Sequence, residues 1–191
     1  MNKIKVFLVF LCINFISCST AANSSDITWE ECGGNIGDHA CDFYLMDQTG
    51  EDWSLYGNYG SIIVLDFSAM WCGYCQKAAI VAQLIQDKYK DDNVIWVTIL
   101  LQNNYGQIPM LNDLLEWEKA FEMTSAPVLS GNMDIIDQTA QNGFNIRSWP
   151  GFVIIDRDMI IAYELFGWNE MQITMWLDQL VKKDNLDNRL E

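Results

Sequence analysis

The sequence predicts an α/β domain with a central mixed sheet flanked by helices, and three observations point there. A β-branched apolar run over 61–67, a helical apolar period reaching about Lys90, and a second apolar run within 93–101 form a strand–helix–strand unit. Two more strand-like runs, Gly151–Asp156 and Ile160–Phe166, flank Arg157-Asp158 and read as a hairpin. An amphipathic helix follows from Asn169. The crossover unit makes a parallel pair and the hairpin an antiparallel one, so the sheet is mixed.

The elements follow in order. Asp42 to Met46 is a short strand, ended by the turn Asp47-Gln48-Thr49-Gly50. Ser61-Ile62-Ile63-Val64-Leu65-Asp66-Phe67 lacks alternation, as a strand buried on both faces should. Trp71-Cys72-Gly73-Tyr74-Cys75 comes directly after it. Ile80, Val81, Leu84, Ile85 and Tyr89 then repeat at helical spacing. Val94 to Leu100 is the second central strand. Pro109 opens another helix, with Leu111, Leu114, Leu115 and Phe121 on one side. Ala126-Pro127-Val128-Leu129 is short and extended, and Asp134 to Gln141 makes a helical turn or two. Asn169 caps the last helix, with Gln172 three residues on and an apolar stripe of Ile173, Trp176, Leu177, Leu180 and Val181.

Composition excludes several function classes. The chain has 191 residues, half of them hydrophobic, enough for one domain with a real core. Eleven basic residues against 26 acidic ones give a net charge of −15, and the basic footprint that neutralises phosphates is missing, so no nucleic-acid partner is expected. A single histidine excludes catalysis or metal binding by a histidine group.

Lys3 and Lys5, the apolar stretch from Val6 to Leu11 and the small residues Ser17, Ser19, Thr20, Ala21 and Ala22 have the order of a secretory signal. Its apolar core is too short to span a bilayer as a helix, which needs about 20 residues. Phe15-Ile16-Ser17-Cys18 resembles a bacterial lipobox, which makes Cys18 the candidate lipidation site and residues 1–18 a lipoprotein-type signal. Ordinary cleavage after Ala21 or Ala22 is the rival. Residues 19–30 are polar and small and read as a tether, 31–182 as the folded domain, and 183–191 as a frayed tail. The expected location is the periplasm or cell envelope, with a membrane anchor through Cys18 on the lipobox reading.

Export sorts the six cysteines. Cys12 and Cys18 belong to the signal, and four remain as the near pairs Cys32/Cys41 and Cys72/Cys75. Four cysteines allow three pairings, and proximity selects this one in an oxidising compartment. Cys72 and Cys75 stand where a buried strand meets a helix. The helix N-terminus directs N–H groups and partial positive charge at the first thiol, favouring the nucleophilic thiolate at Cys72. Cys75, one turn inside, is placed to resolve the mixed disulfide. Asp66, in an apolar strand, would have a raised pKa and could move protons for Cys75. Zinc would need two further ligands; Cys32, Cys41 and His39 share one short loop, so no metal is expected and no cofactor beyond the dithiol.

These residues resemble the thioredoxin superfamily, and most closely its exported TlpA/ResA-like branch. Val64 to Cys75 is similar to that family's strand and active-site loop, and Ser148-Trp149-Pro150-Gly151 to Asp156 to its cis-proline loop and the strand after it. Leu45 to Gly50 with Trp53-Ser54-Leu55 resembles the branch's N-terminal hairpin, and Ala126 to Leu129 falls in its insertion after the second central strand. The resemblance implies a thioredoxin-like fold over roughly residues 40–182. It implies Cys72 as attacking thiol, Cys75 as resolving thiol and Asp66 as the buried acid. Trp71, Gly73, Tyr74, Trp149 and Pro150 would contact substrate, with a cis peptide before Pro150 and strand addition at Trp149.

Gly73-Tyr74 replaces the proline-containing pair common in the branch, and Cys-Gly-Tyr-Cys also occurs in periplasmic disulfide isomerases, so the direction of electron flow stays open. Trp149 is bulkier than the usual residue before the proline. Cys32–Cys41 reads as a structural staple, with a second redox pair as the alternative. The expected activity is thiol–disulfide exchange, in the reductase or isomerase direction. Its partners are protein dithiols or disulfides and an upstream thiol–disulfide donor or acceptor, and the chain acts as a monomer. The alternatives are a peroxiredoxin-like peroxidase, for which Arg147 and Arg157 are the mid-chain arginines, and a non-catalytic metal chaperone or binding module on the same fold.

Overall fold

The computed structural model describes Trp29, residues 31–140 and residues 142–187. The expected signal (1–18) and its Cys18, and the tether apart from Trp29, lie outside the described residues.

β3 (Ile62–Ala69) and β4 (Val94–Gln102) are parallel and joined by α1 (Gly73–Lys88). β5 (Val128–Ser130) adds parallel to β4, after α2 (Leu111–Ala120). β6 (Gly151–Ile155) runs antiparallel to β3, and β7 (Ile161–Phe166) antiparallel to β6. The order is β5-β4-β3-β6-β7, the mixed sheet the crossover and hairpin require, and α3 (Glu170–Asp187) is the last described element. A separate two-stranded hairpin, β1 (Tyr44–Met46) and β2 (Asp52–Ser54), precedes the sheet.

The alternation of β3 divides the core. Ile62 and Val64 face a cluster with α1, α2 and α3 that includes Ala78, Ala79, Ala82, Leu114, Trp117, Ile173 and Leu177. Ile63, Leu65 and Phe67 face the opposite cluster, built with Ala40, Tyr56, Ile135, Phe144, Met159 and Ile161. That second face is covered by no long helix among the described residues, only by coil, short 3₁₀ turns and the chain before β3. Tyr56 donates its hydroxyl to Ala40 O at 2.9 Å within this cover.

The apolar stripe of α1 differs from the one expected. Ile85 and Tyr89 are buried, but Ile80 is 62% and Leu84 65% exposed. The sheet instead receives Ala78, Ala79 and Ala82, whose small side chains let the helix axis lie close to the strands. Leu115 of α2 is likewise exposed, and Trp117 takes the buried position beside Leu114. Pro109 precedes that helix: Met110 is its N-cap, and its backbone N–H donates to Asp113 Oδ2 at 2.7 Å. The turn anticipated over 134–141 is a 3₁₀ turn at Met133–Ile136. At the C-terminus Asn169 Oδ1 accepts from Gln172 N at 3.1 Å as expected of a cap. The helix runs to Asp187, so no helix end marks a boundary at residue 182.

Candidate functional site

The dithiol sits where β3 gives way to α1. Met70 N–H donates to Gln102 O and Cys72 N–H to Ala69 O, which turn the chain off the sheet. Cys72 is the N-cap of α1, extended at φ −83°, and its Sγ accepts the N–H of Cys75 at 3.3 Å. The first sulfur thus receives one N–H of the first helical turn and sits at the positive end of the helix dipole, the electrostatic arrangement that favours a thiolate there. Cys72 and Cys75 are disulfide-bonded, with Cα atoms 5.2 Å apart. Cys72 keeps 9% of its surface exposed and Cys75 none. The two sulfurs are therefore unequal in both field and access.

Trp71 and Tyr74 flank the pair, half and two-thirds exposed. A plain core-packing role for Trp71 is thereby excluded. Its indole N–H donates to Gln102 Oε1 at 3.1 Å, and its ring meets Trp149 edge-on with centroids 5.6 Å apart. Tyr74 lies under the Lys77 ammonium, 4.8 Å from its ring centroid. Gly73 is open on the Cβ side. The peptide between Trp149 and Pro150 is cis. Pro150 O accepts from Gly167 N at 2.8 Å, and Gly167 has φ +85°, a conformation that suits a residue without Cβ. Trp71, Gly73, Tyr74, Trp149 and Pro150 thus gather with the disulfide at the C-terminal end of β3.

Asp66 is fully buried in mid-β3, opposite Thr98 of β4 and Phe152 of β6. Strand alternation places it on the helical face, the one that also holds Cys72 and Cys75. Ser68 Oγ donates to its Oδ1 at 2.6 Å and Thr98 Oγ1 to its Oδ2 at 3.4 Å. Burial pushes the carboxyl up to about 7, against the lowering pull of Ser68, Thr98 and the Trp96 indole. A group poised there can hold or release a proton near neutral pH.

Cys32 and Cys41 form the second disulfide, with Cα atoms 4.9 Å apart. Their loop binds the β6–β7 end of the sheet through Gly37 N to Ile161 O and Ala40 N to Met159 O. Register puts Ile161 and Ile155 at the N-terminal end of β3, opposite the end that leads to Cys72. Ala40 enters the core cluster on the non-helical face. The sheet therefore stands between the two disulfides, an arrangement that suits a staple better than a direct relay. His39 of this loop stacks on Trp29, centroids 4.3 Å apart, with Nδ1 3.2 Å from Asp158 O. Among the described residues, no three His, Cys, Asp or Glu side chains converge as metal ligands.

Several residues here carry no sequence signal of their own. Gln102 fixes Trp71 from the end of β4, and Gln76 fixes the loop by donating to Met70 O at 2.7 Å. Gln83, buried in α1, accepts from Ser125 N and Ala126 N and positions the approach to β5. A glutamine in an amphipathic pattern reads as surface; only the fold reveals its partner.

The profile of the AhpC/TSA family matches residues 36–164. A search of curated protein sequences returns no match. Among solved structures the chain is similar to a protein of Chlorobium tepidum named as a thiol:disulfide interchange protein DsbE, with 24% identity and a TM-score of 0.60. That likeness covers 79% of this chain and 98% of that one. The exposed lipoprotein thioredoxin Etrx1 of Streptococcus pneumoniae shares 22% identity over 75% of this chain and 99% of that one, with a TM-score of 0.59. A second thiol:disulfide interchange protein of Chlorobium tepidum, described as of the thioredoxin family, shares 18% over 79% and 98%, with a TM-score of 0.60. The fold is thioredoxin-like, as the resemblance implied.

Proposed function

The chain belongs to the AhpC/TSA family, and from that premise we propose that it is an exported, TlpA/ResA-like thiol–disulfide oxidoreductase acting on protein substrates. The observation that carries this reading is the junction beside Cys72, where Trp71 of the dithiol loop meets Trp149 of the cis-proline loop. A strand-adding substrate pairs with the backbone at Trp149, between Pro150 and the exposed rim of Gly73 and Tyr74. The Cys72 thiolate attacks one sulfur of its disulfide, and the other leaves as a thiolate. Cys75 gives its proton to Asp66 and attacks Cys72, which forms the Cys72–Cys75 bond and frees the second substrate thiolate. The overall direction is reductase or isomerase, with an upstream thiol–disulfide partner restoring the dithiol. The disulfide is the only redox centre required, and the chain acts as a monomer.

The leader's order of charge, apolar core and lipobox-like Cys18 supports export with a lipid anchor; among the described residues no helix is long and apolar enough to cross a membrane. The peroxidase alternative needs an arginine beside the reactive cysteine. Arg157 is engaged at the other end of the sheet, donating to Gly60 O and Asp92 O. Arg147 donates its Nε–H to Asn145 Oδ1 and lies over Phe166.

Covalent capture tests the proposal. In the exporting cell Cys75→Ala should hold substrates in reductant-sensitive complexes, and Cys72→Ala should not. Capture by Cys72→Ala alone would reverse the roles. Absence of capture by both, together with intact insulin-type disulfides after incubation with the reduced protein, would overturn the assignment.

A further inference from the structure

The helical-side core holds two buried indole donors without a hydrogen-bond partner, Trp96 and Trp117, and the exchange steps above use neither; of the two, Trp96 is the one that acts on Asp66. Trp96 is fully buried on β4, edge-on to Phe152 with centroids 5.8 Å apart and to Trp168 at 6.4 Å. Its backbone N–H is fixed by Gln86 Oε1 at 2.7 Å, so strand and ring are both held. Yet its indole Nε1 is buried with no completed hydrogen bond, although it lies near enough to Asp66 to draw the carboxyl's pKa down. An N–H placed so deep in an apolar cluster is costly unless something uses it.

Register brings Asp66 to the same face of the sheet. Val64 pairs with Trp96 and Asp66 with Thr98, so Trp96 lies one same-face step from Asp66's own partner. The two carboxyl oxygens of Asp66 are not equally served. Oδ1 receives the short Ser68 bond, whereas Oδ2 has only the long Thr98 contact and keeps room for a stronger donor. The groups facing Asp66 are Ser68 on β3, Trp96 and Thr98 on β4 and Phe152 on β6, and the helical layer over this face of the sheet carries Cys72–Cys75 at the start of α1 and the apolar Ile173 and Leu177 of α3. Apart from the dithiol none of these titrates, and no cation or second carboxylate acts on Asp66. The site must stabilise a buried carboxylate with neutral donors alone.

We propose that Trp96 is a positioning residue for Asp66, whose indole N–H bonds Oδ2 once the carboxyl is ionised and so holds it ready for the Cys75 proton. This rests on the reading of Asp66 as proton acceptor. In the step, the S–H bond of Cys75 breaks and its proton moves to the Asp66 carboxylate. The sulfur's electron pair forms the bond to Cys72, and the pair of the broken Cys72–substrate bond leaves on the substrate sulfur. Trp96 exchanges no electrons; it sets how much of Asp66 is ionised when the proton arrives.

The test uses the full chain with Trp96→Phe and, separately, a benzothienylalanine at position 96, which keeps the indole's shape and lacks the N–H. Carbon NMR of labelled aspartate, assigned with Asp66→Asn, reads the carboxyl's titration midpoint directly. Both replacements should raise that midpoint by about one unit, since a donor to the charged form is lost. Single-turnover resolution of a mixed disulfide with an oxidised peptide should slow severalfold at pH 7 and recover wild-type rates in alkali. An unmoved midpoint in the benzothienyl protein overturns the proposal; if Asp66→Asn still slows resolution there, the acceptor role of Asp66 survives it. A raised midpoint with an unmoved resolution profile overturns the proposal and the acceptor role together.

Discussion

The two faces of the sheet are stabilised in different ways, and each carries its own disulfide. On one side α1, α2 and α3 close a helical layer around Trp96, Phe152 and the alanines of α1. On the other, coil, short turns and an N-terminal loop cover Phe67, Phe144 and Ile161. The helical side carries Cys72–Cys75 at a helix N-cap, where the backbone field acts on one sulfur. The irregular side carries Cys32–Cys41 within a loop tied to the sheet's far end. Helices bury their own backbone polar groups and can surround a charge-bearing site with apolar side chains. Coil has to be tied down, by hydrogen bonds such as Tyr56 to Ala40 and by a covalent link. On the function proposed above, the same bond type does chemistry on one face and restrains chain entropy on the other.

The largest expected effect breaks this comparison at its root. Cys72→Ala should abolish exchange while leaving the cover of the opposite face intact, and removing Cys32 and Cys41 together should leave the exchange rate of the folded protein within about twofold. Insulin reduction on both variants checks it; loss of activity in the second would make Cys32–Cys41 part of the redox path. A reductant titration sharpens the point. Cys32 is more exposed than Cys72, so access alone would open the staple first. The helix-end field stabilises the Cys72 thiolate as leaving group, and Cys72–Cys75 should open at lower reductant concentration. Thiol labelling followed by peptide mapping gives the order.

The second effect is on stability and depends on pH. Asp66 has its carboxyl raised to about 7 in the folded state, above its ordinary value of 3.8. Between those values the native state holds a proton that the unfolded chain has lost, so this group's contribution makes stability fall as pH rises. Above about pH 7 the penalty is complete, and the shift corresponds to about 4 kcal/mol. Asp66→Asn, which keeps the shape and cannot ionise, should be less sensitive to pH between 4 and 8 and more stable than the native chain at pH 8. Urea unfolding at pH 5 and pH 8 decides; equal slopes for the two proteins would mean that Asp66 ionises freely.

Next in size is the staple. The chain-entropy account gives a loop of this length about 2–3 kcal/mol. Replacing Cys32 and Cys41 with Ala should lower stability by that amount and raise amide exchange first at Ala40, whose N–H bonds Met159 O. Uniform loss of protection across both faces would show that the loop is not the local restraint described above.

Much of this was legible in the sequence where residue type and periodicity agree. The strand runs ending at Phe67 and Leu101, the hairpin around Arg157-Asp158 and the Asn169 cap each joined a strong pattern to a specific terminator, and each appears within a residue or two. The dithiol and Asp66 were legible because reactive side chains in an apolar context stand out. Trp96, Thr98, Gln102 and Gln83 were not, because their roles depend on which strand or loop lies beside them, and register is a long-range property. The irregular cover of the second face was least legible, since coil carries no period.

The misread stripe of α1 yields the smallest effect and separates the two kinds of apolar residue on one helix. Periodicity rewards bulk, so Ile80 and Leu84 read as core, and the alanines beside them give no such signal. The helix turns the other way: Ala78, Ala79 and Ala82 are fully buried against the sheet, and Ile80 and Leu84 face outward. Ile80→Gln and Leu84→Gln remove little buried surface and create no cavity, so each should change stability by less than about 0.5 kcal/mol. Ala79→Leu adds three heavy atoms where the helix meets the strands and should cost about 1–3 kcal/mol. Because α1 also carries Cys72 at its N-cap, displacement of the helix by Ala79→Leu should slow exchange as well, whereas the two glutamine variants should react with a small disulfide at the native rate. Chemical unfolding and a small-disulfide assay on the three variants test both halves. A glutamine variant that unfolds as easily as Ala79→Leu would mean that α1 presents its bulky face to the protein after all.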